Sequence, residues 1–292
     1  MDIQKLLFVT KFEELGFDAL QSLLSLRQAA LNHVVFVNVI ERDKVAMRRG
    51  TGYQKTEEVR LRERANIRFI DWAETLFEQG MEVGVYIVVG SLVSQVIEAA
   101  RKEEADLIVI GKTNKPMLEQ FYAAPDVTEI IRRASIPVLV YKPIPESNTA
   151  LEHPFERPLL AMDNSAGSLR AVGYLKNLGA VVREVNMVTV VEEKDLKGDS
   201  SMSIQKARKQ ARQRLEQICE ELESAGIRCR AHVYVGQPFE EIERAARDCQ
   251  ATLIIAGSSA KGAWAERWIG SVPRAIAEKS VYPTMLVPPE KG

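Results

Sequence analysis

Apolar positions along the chain alternate between two patterns. Short β-branched runs at Leu6–Thr10, Val34–Ile40, Val83–Val89, Leu107–Ile110 and Val138–Tyr141 predict strands. Between them, Phe17–Ala30, Leu92–Lys102 and Val127–Arg133 read as helices. A longer helix carries Leu61, Ala65, Phe69, Trp72 and Leu76 on one stripe and stops at Gly80, a residue suited to the left-handed turn after a helix. The second half repeats this order, with Ile204, Ala207, Ala211, Leu215, Ile218 and Leu222 on the stripe of a helix that stops at Gly226. Alternating strand and helix implies a mainly parallel sheet covered on both faces, and the continuous apolar strands LIVIG and LIIAG agree with that burial.

The repetition is exact in spacing. Gly90–Gly111 superposes on Gly236–Gly257 at an offset of 146 residues without a gap, with eight of 22 positions identical. Gly80 maps onto Gly226 and Pro137 onto Pro283. A period this long marks a duplicated domain rather than a solenoid unit. The expected organisation is an α/β domain over 1–143, a polar, aperiodic linker over 144–157 and a second α/β domain over 158–292. Each is an open, mainly parallel, five-stranded Rossmann-like sheet.

Composition narrows the function classes. The formal net charge of the 292 residues is -1, which removes a whole-chain electrostatic case for nucleic acid or an anionic membrane surface. No apolar run reaches the length of a membrane span, and the first residues (MDIQKLLFVTKFEE) lack a signal peptide's apolar core. Cys219, Cys229 and Cys249 are odd in number and form no CxxC, so they read as buried thiols in a reducing cytosol. The three histidines, His33, His153 and His232, stand apart from one another along the chain, so a His-rich metal site is not expected.

In an open parallel sheet, ligands bind beyond the carboxyl ends of the strands. In the second half, strand one runs into Ala161-Met162-Asp163, and strand four runs into Gly257-Ser-Ser-Ala260-Lys-Gly262, reaching Gly270-Ser271-Val272 at the start of a helix. Glycines let main-chain N–H groups approach a ligand, and a helix N-terminus adds unpaired donors and a positive dipole end, which suits phosphate. A carboxylate at 163 is placed to accept from ribose hydroxyls. Here the chain resembles the universal stress protein family, specifically its tandem two-domain members. The nucleotide-binding subset of that family carries Gly-x2-Gly-x9-Gly-(Ser/Thr) after strand four and an Asp after strand one. Gly257, Gly270, Ser271 and Asp163 match, while Ala260 stands at the second glycine. The resemblance implies ATP, ADP or AMP as ligand, with or without Mg2+. Asp163 would hold the ribose, and the Val190 main chain would meet adenine. Ala161 and Ala256 would line the base pocket, and Gly257, Gly270, Ser271 and Val272 would hold the phosphates. Gly262 could re-route the loop around Ala260, and Lys261 adds a positive charge. Taken singly, Ser271 also reads as a helix cap, Gly257 and Gly270 as turn glycines, and Asp163 with Asn164 as a helix start.

The first half departs at the same positions. Gly111 is kept, but Asn114, Ala124 and Pro125 replace the later Gly, Gly and Ser, Lys11 replaces Asp163, Val39 matches Val190, and Asp126 replaces Val272. Asp126 with Glu129 reads as a capping box on the helix donors that a phosphate would need. Lys11 and Asp126 are candidates for an ion pair filling the vacated site. Trp264 and Trp268 read as loop packing or a lid. The mixed charges after Lys206–Arg214 read as a solvated helix face. No Ser-His-Asp set, metal cluster or carboxylate pair can be assembled, so turnover chemistry has little support. The reading is a cytoplasmic stress-response regulator with a nucleotide ligand, an unidentified protein partner and an intrachain pseudo-dimer through strand five; a homodimer of the whole chain is compatible with it. The alternatives are an interaction scaffold without nucleotide, or a weak ATPase or autokinase.

Overall fold

A computed structural model describes residues 2–10, 15–45, 54–111, 124–142, 153–192, 201–258 and 269–290. In the first half, β1 (Lys5–Val9) leads to α1 (Phe17–Leu23), β2 (His33–Glu41), a single turn α2 (Arg42–Val45) and the long α3 (Lys55–Glu78). Then come β3 (Glu82–Gly90), α4 (Leu92–Lys102), β4 (Leu107–Gly111), α5 (Ala124–Arg133) and β5 (Val138–Tyr141). The second half repeats this as β6 (Pro158–Ala161), α6 (Ala166–Asn177), β7 (Glu184–Val191), α7 (Ser201–Ser224) and β8 (Arg228–Val235). It closes with α8 (Pro238–Asp248), β9 (Leu253–Gly257), α9 (Ser271–Lys279) and β10 (Thr284–Val287). All strands form one sheet in the order β3-β2-β1-β4-β5-β10-β9-β6-β7-β8. Pairing is parallel within each half, and β10 meets β5 antiparallel with Met285 opposite Leu139. The strand-five pseudo-dimer is thus built into the single chain.

Alternate side chains of each strand point to opposite faces. Leu6, Phe8, Leu160 and Met285 join a core beneath α1, α3, α6 and α7, while Leu7, Val9, Leu159 and Leu286 join one beneath α4, α5, α8 and α9. The duplication persists in detail. Gly80 and Gly226 have φ of +75° and +84°, Glu104 and Gln250 have φ of 52° and 51°, and the Pro137 and Pro283 carbonyls accept from Ile108 and Ile254, each at 3.0 Å. The two long helices bury the expected stripes, through Ala65, Phe69 and Leu76 in α3 and through Leu215 and Leu222 in α7. Phe155, just ahead of β6, is fully buried in the same core.

Three expectations are corrected. The helix expected over Phe17–Ala30 is α-helical only to Leu23 and continues as a 3-10 helix over Leu24–Ala29. Its fully buried residues, Leu20, Leu23 and Leu26, recur every third position, which the tighter helix keeps on one face. Cys219 and Cys229 are not separate thiols: they form a disulfide, with S–S 2.19 Å and Cα–Cα 5.2 Å. The turn at Gly226 folds the last part of α7 back beside β8, so residues ten apart face each other, and the argument for a reducing cytosol loses its support. Cys249 is the remaining free thiol. Finally, α5 begins at Ala124, so Asp126 lies inside the first turn rather than at its cap, and the Glu129 carboxylate is engaged by Arg132 at 2.7 Å. Lys11 and the ion pair expected of it lie outside the described residues. No helix among those described is long and apolar enough to cross a membrane.

Side chains reinforce the junction of the halves. Lys142 is buried, and its ammonium donates to the carbonyls of Ile276 at 3.1 Å and Ser280 at 2.9 Å, at the C-terminus of α9. A cation there complements the helix dipole. Arg170 of α6 donates to the carbonyl of Ser135 at 3.2 Å and to that of Pro288 at 3.0 Å. Replacing Lys142 by methionine keeps most of the buried volume but removes the donor from those carbonyls. Stability should fall by about 1–3 kcal/mol, read as a lower guanidinium midpoint. An unchanged midpoint would mean that desolvation of the ammonium cancels its bonds.

Candidate functional site

A cavity of about 420 Å³ opens at the carboxyl ends of β6 and β9, neighbours in the sheet whose chains depart in different directions. It exists because the side chains at its floor are short. Ala161 and Ala256 are registered partners on β6 and β9, both facing α8 and α9, and Val188 and Ile242 complete the apolar wall. In the first half the same register holds Val9 opposite Ile110, both fully buried. Branched side chains there fill what the paired alanines leave open.

The polar side of the cavity is set by two chain turns. After β6, Asp163 precedes Asn164, whose φ is +59°. The Asp163 carboxylate accepts from the Ser165 N–H at 3.0 Å, which holds it at the rim by one oxygen. Ser165, rather than Asp163 or Asn164, is the cap of α6, accepting from the Ser168 N–H at 3.2 Å. Opposite lies the N-terminus of α9. Its cap is Gly270, so no side chain caps the helix, and Ser271 is the first helical residue. The Gly270 N–H donates to the Ser258 carbonyl, and the first bond within the helix runs from the Arg274 N–H to the Gly270 carbonyl at 3.0 Å. The N–H groups of Ser271 and Val272 precede that bond, and Pro273 has none to offer. Two main-chain donors and the exposed Ser271 residue therefore face the cleft together. On the β7 side, pairing with β6 ends at Ala161 opposite Val188, while β7 continues to Val191, and Thr189 and Val190 line the cavity there.

Of the residues proposed from sequence, Ala161, Asp163, Val190, Ala256, Gly257, Gly270, Ser271 and Val272 all line this one cavity. Ala260 and Gly262 lie outside the described residues, as do Lys261, Trp264 and Trp268. Gly257 has a role other than the tight turn expected of it. A Cβ there would lie 2.6 Å from the Ser168 nitrogen and 2.7 Å from the Ser165 hydroxyl, so the glycine lets the start of α6 lie against β9. Gly167 makes the reciprocal approach, with a Cβ position 2.5 Å from the Val287 carbonyl oxygen. Reading the sequence overlooked Gly167 and Thr189. The first is signalled by a glycine early in a helix. The second fixes the chain after β6 by donating to the Met162 carbonyl at 2.7 Å, as Asn38 does to Thr10 at 2.9 Å in the first half.

The chain matches the model of the Universal stress protein family twice, over residues 2–142 and 154–288. A universal stress protein of Methanocaldococcus jannaschii is 29% identical over 139 residues, covering 41% of this chain and 85% of that protein. The crystal structure of a universal stress protein from Archaeoglobus fulgidus DSM 4304 superposes with a TM-score of 0.74 at 19% identity, covering 99% of this chain and 98% of the other. A functionally unknown protein from Pseudomonas aeruginosa PAO1 superposes with a TM-score of 0.65 at 18% identity, covering 99% and 93%. These two likenesses establish the fold.

No cluster of three or more potential metal ligands occurs among the described residues. One histidine does meet a cysteine in space, across a separation of 17 residues in the chain. His232 Nε2 lies 3.1 Å from the Asn186 side-chain oxygen and 3.8 Å from Cys249 Sγ. Both neighbours use the same ring nitrogen, so the trio cannot relay a proton through the imidazole. Burial, then the positive charges of Arg230 and Arg212, push the His232 pKa down against a weaker pull from Glu184; burial also pushes the Cys249 thiol up, away from nucleophilic thiolate. The fold favours neutral His232, so its contribution is complete above the ordinary value near 6.5 and is lost as pH falls below it. His33 is lowered in the same direction by burial and Lys5. Urea midpoints should therefore fall between pH 7.5 and 5.5, and His232→Gln should lose less over that interval. Equal losses in both proteins would show that His232 is not a source of the acid sensitivity.

Proposed function

Because the chain belongs to the universal stress protein family, we propose that its second half, residues 158–292, binds an adenine nucleotide, and that occupancy rather than turnover is its output. In this reading the base lies between Ala161, Ala256 and the main chain at Val190. Asp163 accepts from the ribose hydroxyls. The N–H groups of Ser271 and Val272, with the Ser271 hydroxyl, take the phosphates at the uncapped start of α9. The cavity falls within the range of small-molecule sites, roughly 300–1,000 Å³. The first half, residues 1–143, serves as the structural twin and completes the sheet.

The observation that carries the proposal is the exchange of Val9–Ile110 for Ala161–Ala256 at registered positions of one duplicated scaffold. Packing alone favours the branched pair, since an open apolar floor forfeits contacts. Retaining the gap beside a carboxylate and an uncapped helix N-terminus makes sense if something fills it. The match to the family's Gly-x2-Gly-x9-Gly-(Ser/Thr) pattern, with Ala260 in place of one glycine, points to the same ligand.

Thermal unfolding of the full chain with ATP, ADP, AMP and GTP, with and without Mg2+, tests the reading. Adenine nucleotide at 100-fold its Kd should add about 2.7 kcal/mol, a rise of several degrees. Asp163→Ala should weaken binding by roughly tenfold or more. The double change Ala161→Val with Ala256→Ile, which transplants the first half's pair, should abolish the shift while leaving a folded protein. No shift at millimolar adenine nucleotide, or an undiminished shift in the double variant, would overturn the assignment and leave the interaction scaffold as the better description.

A further inference from the structure

The duplication offers a second internal control, on the outer surface. The helices α3 and α7 are both 24 residues long and align at the same offset of 146, and both pack one face on the sheet. Their solvent faces differ. Val59, Ile67, Ile70 and Phe77 of α3 are 44%, 63%, 49% and 59% exposed. The aligned positions of α7 are Gln205, Gln213, Glu216 and Glu223, all exposed. Apart from the exposed Met202 in its first turn, α7 thus keeps a polar outer face where α3 carries an apolar strip. Ile67 lies opposite the buried Ala65, Phe69 and Leu76, and Val59, Ile70 and Phe77 share one line along the helix to its side.

The arrangement of that strip specifies its occupant. Val59 and Phe77 are equidistant from residue 68, and Ile67 and Ile70 straddle it. Two α3 helices packed antiparallel about a twofold axis near residue 68 would set Val59 of each copy against Phe77 of the other, and Ile67 against Ile70. Every apolar side chain would then meet an apolar one, as an isologous interface requires. Charge follows the same symmetry. The last third of α3 carries Asp71, Glu74 and Glu78 and no basic residue. The first two-thirds carries Lys55, Arg60, Arg62, Arg64 and Arg68 against Glu57, Glu58 and Glu63, with Arg60 paired to Glu57 at 2.8 Å and Arg62 to Glu58 at 2.7 Å. Antiparallel packing lays each acidic end along the other copy's first two-thirds, whose net charge is positive although Glu57 and Glu58 lie at its far end. Parallel packing would lay acid on acid. Glu63 and Glu74 fall on the strip itself and approach one another across the axis; Arg62 and Arg64 flank Glu63 in each copy and are the cations that offset this like-charge contact.

We infer that the exposed face of α3 is a self-association surface through which a second copy of this chain docks in antiparallel register. A helix of this length is about 36 Å long and its contact strip about 10 Å wide, roughly half of what a standard interface buries per partner. The dimer is therefore reversible and depends on concentration. It is distinct from the β5–β10 junction, which is already satisfied within one chain.

Sedimentation equilibrium of the full chain from about 1 to 200 µM tests the inference. The weight-average mass should rise from one chain toward two. Replacing Ile67 by Gln and Ile70 by Glu, the residues α7 carries there, should raise the dissociation constant by roughly thirty-fold or more, with circular dichroism and melting unchanged. Orientation is tested by mixing chains carrying Asn66→Cys with chains carrying Asp71→Cys. Oxidation should form the mixed cross-link faster than either like pair. A mass of one chain throughout the range would overturn the proposal and assign the strip to another protein. A dimer unaffected by the double replacement, or like pairs linking as fast as the mixed pair, would overturn it as well.

Discussion

The antiparallel pairing of β5 with β10 is the constraint on which the rest of the molecule depends. Each half alone would expose one of these strands as an edge, with unpaired main chain and the fully buried side chains of Leu139 or Met285 at its margin. Joining them yields one ten-stranded sheet with outer edges at β3 and β8, and two cores that each run through both halves. Because pairing is parallel within each half and antiparallel between them, the carboxyl ends of the two sets of strands lie along opposite margins of the sheet. The cavity at β6 and β9 is consequently remote from its counterpart in the first half, and the two cannot be halves of one site.

Within that common frame, the two copies use their volume differently. The first half packs Phe8, Phe36, Phe69 and Trp72 in mutual ring contact on one face of the sheet, with Phe36 and Phe69 stacked at 5.0 Å. The corresponding residues of the second half are Leu160, Met187, Leu215 and Ile218, joined by the Cys219–Cys229 disulfide. On the other face the first half closes the strand ends with Val9 and Ile110, and the second leaves them open with alanines. Closing a ten-residue loop with a disulfide contributes roughly 2–3 kcal/mol in the chain-entropy account, comparable to the cost of an unfilled apolar site. The half with the open cleft is the half that carries the covalent staple.

Most of the fold was legible because its signals are local and repeated. Strand runs, helix stripes, the terminal glycines and the 146-residue register each lie in contiguous sequence, and their agreement fixes the class. The lining of the cavity was legible as far as spacing reaches: Gly257, Gly270, Asp163 and Ser271 stand in the chain at positions the sheet brings together. What spacing does not encode was misread or missed. The 3-10 turn depends on which leucines face the core. The disulfide depends on how α7 folds back on β8. Spacing offers Gly257 as a phosphate contact or a turn glycine, and it does not reveal that the missing side chain makes room for the start of α6 against β9. The alanine pair was noted, but its meaning needed the registered Val9 and Ile110 beside it, which only strand pairing identifies.

Helix α9 unites the two levels of organisation. Its N-terminus supplies the Ser271 and Val272 donors of the cleft, while its C-terminal carbonyls at Ile276 and Ser280 hold the buried ammonium of Lys142 from the other half. A second tie runs from Thr128 of α5 to Glu278 of α9 at 3.2 Å, and Glu278 also accepts from Arg274 at 2.9 Å. A cation at the carbonyl end and an anion at the amide end both complement the same dipole. Sliding α9 along its axis toward or away from the cleft would break the Lys142 bonds in a buried, low-dielectric setting, where an unpaired ammonium is costly. The donors at the cleft are thereby held in place by contacts at the far end of their own helix, the kind of pre-organisation that lowers the cost of binding. The first half lacks the open floor of the cleft, yet through Lys142 it helps fix the geometry of the site in the second.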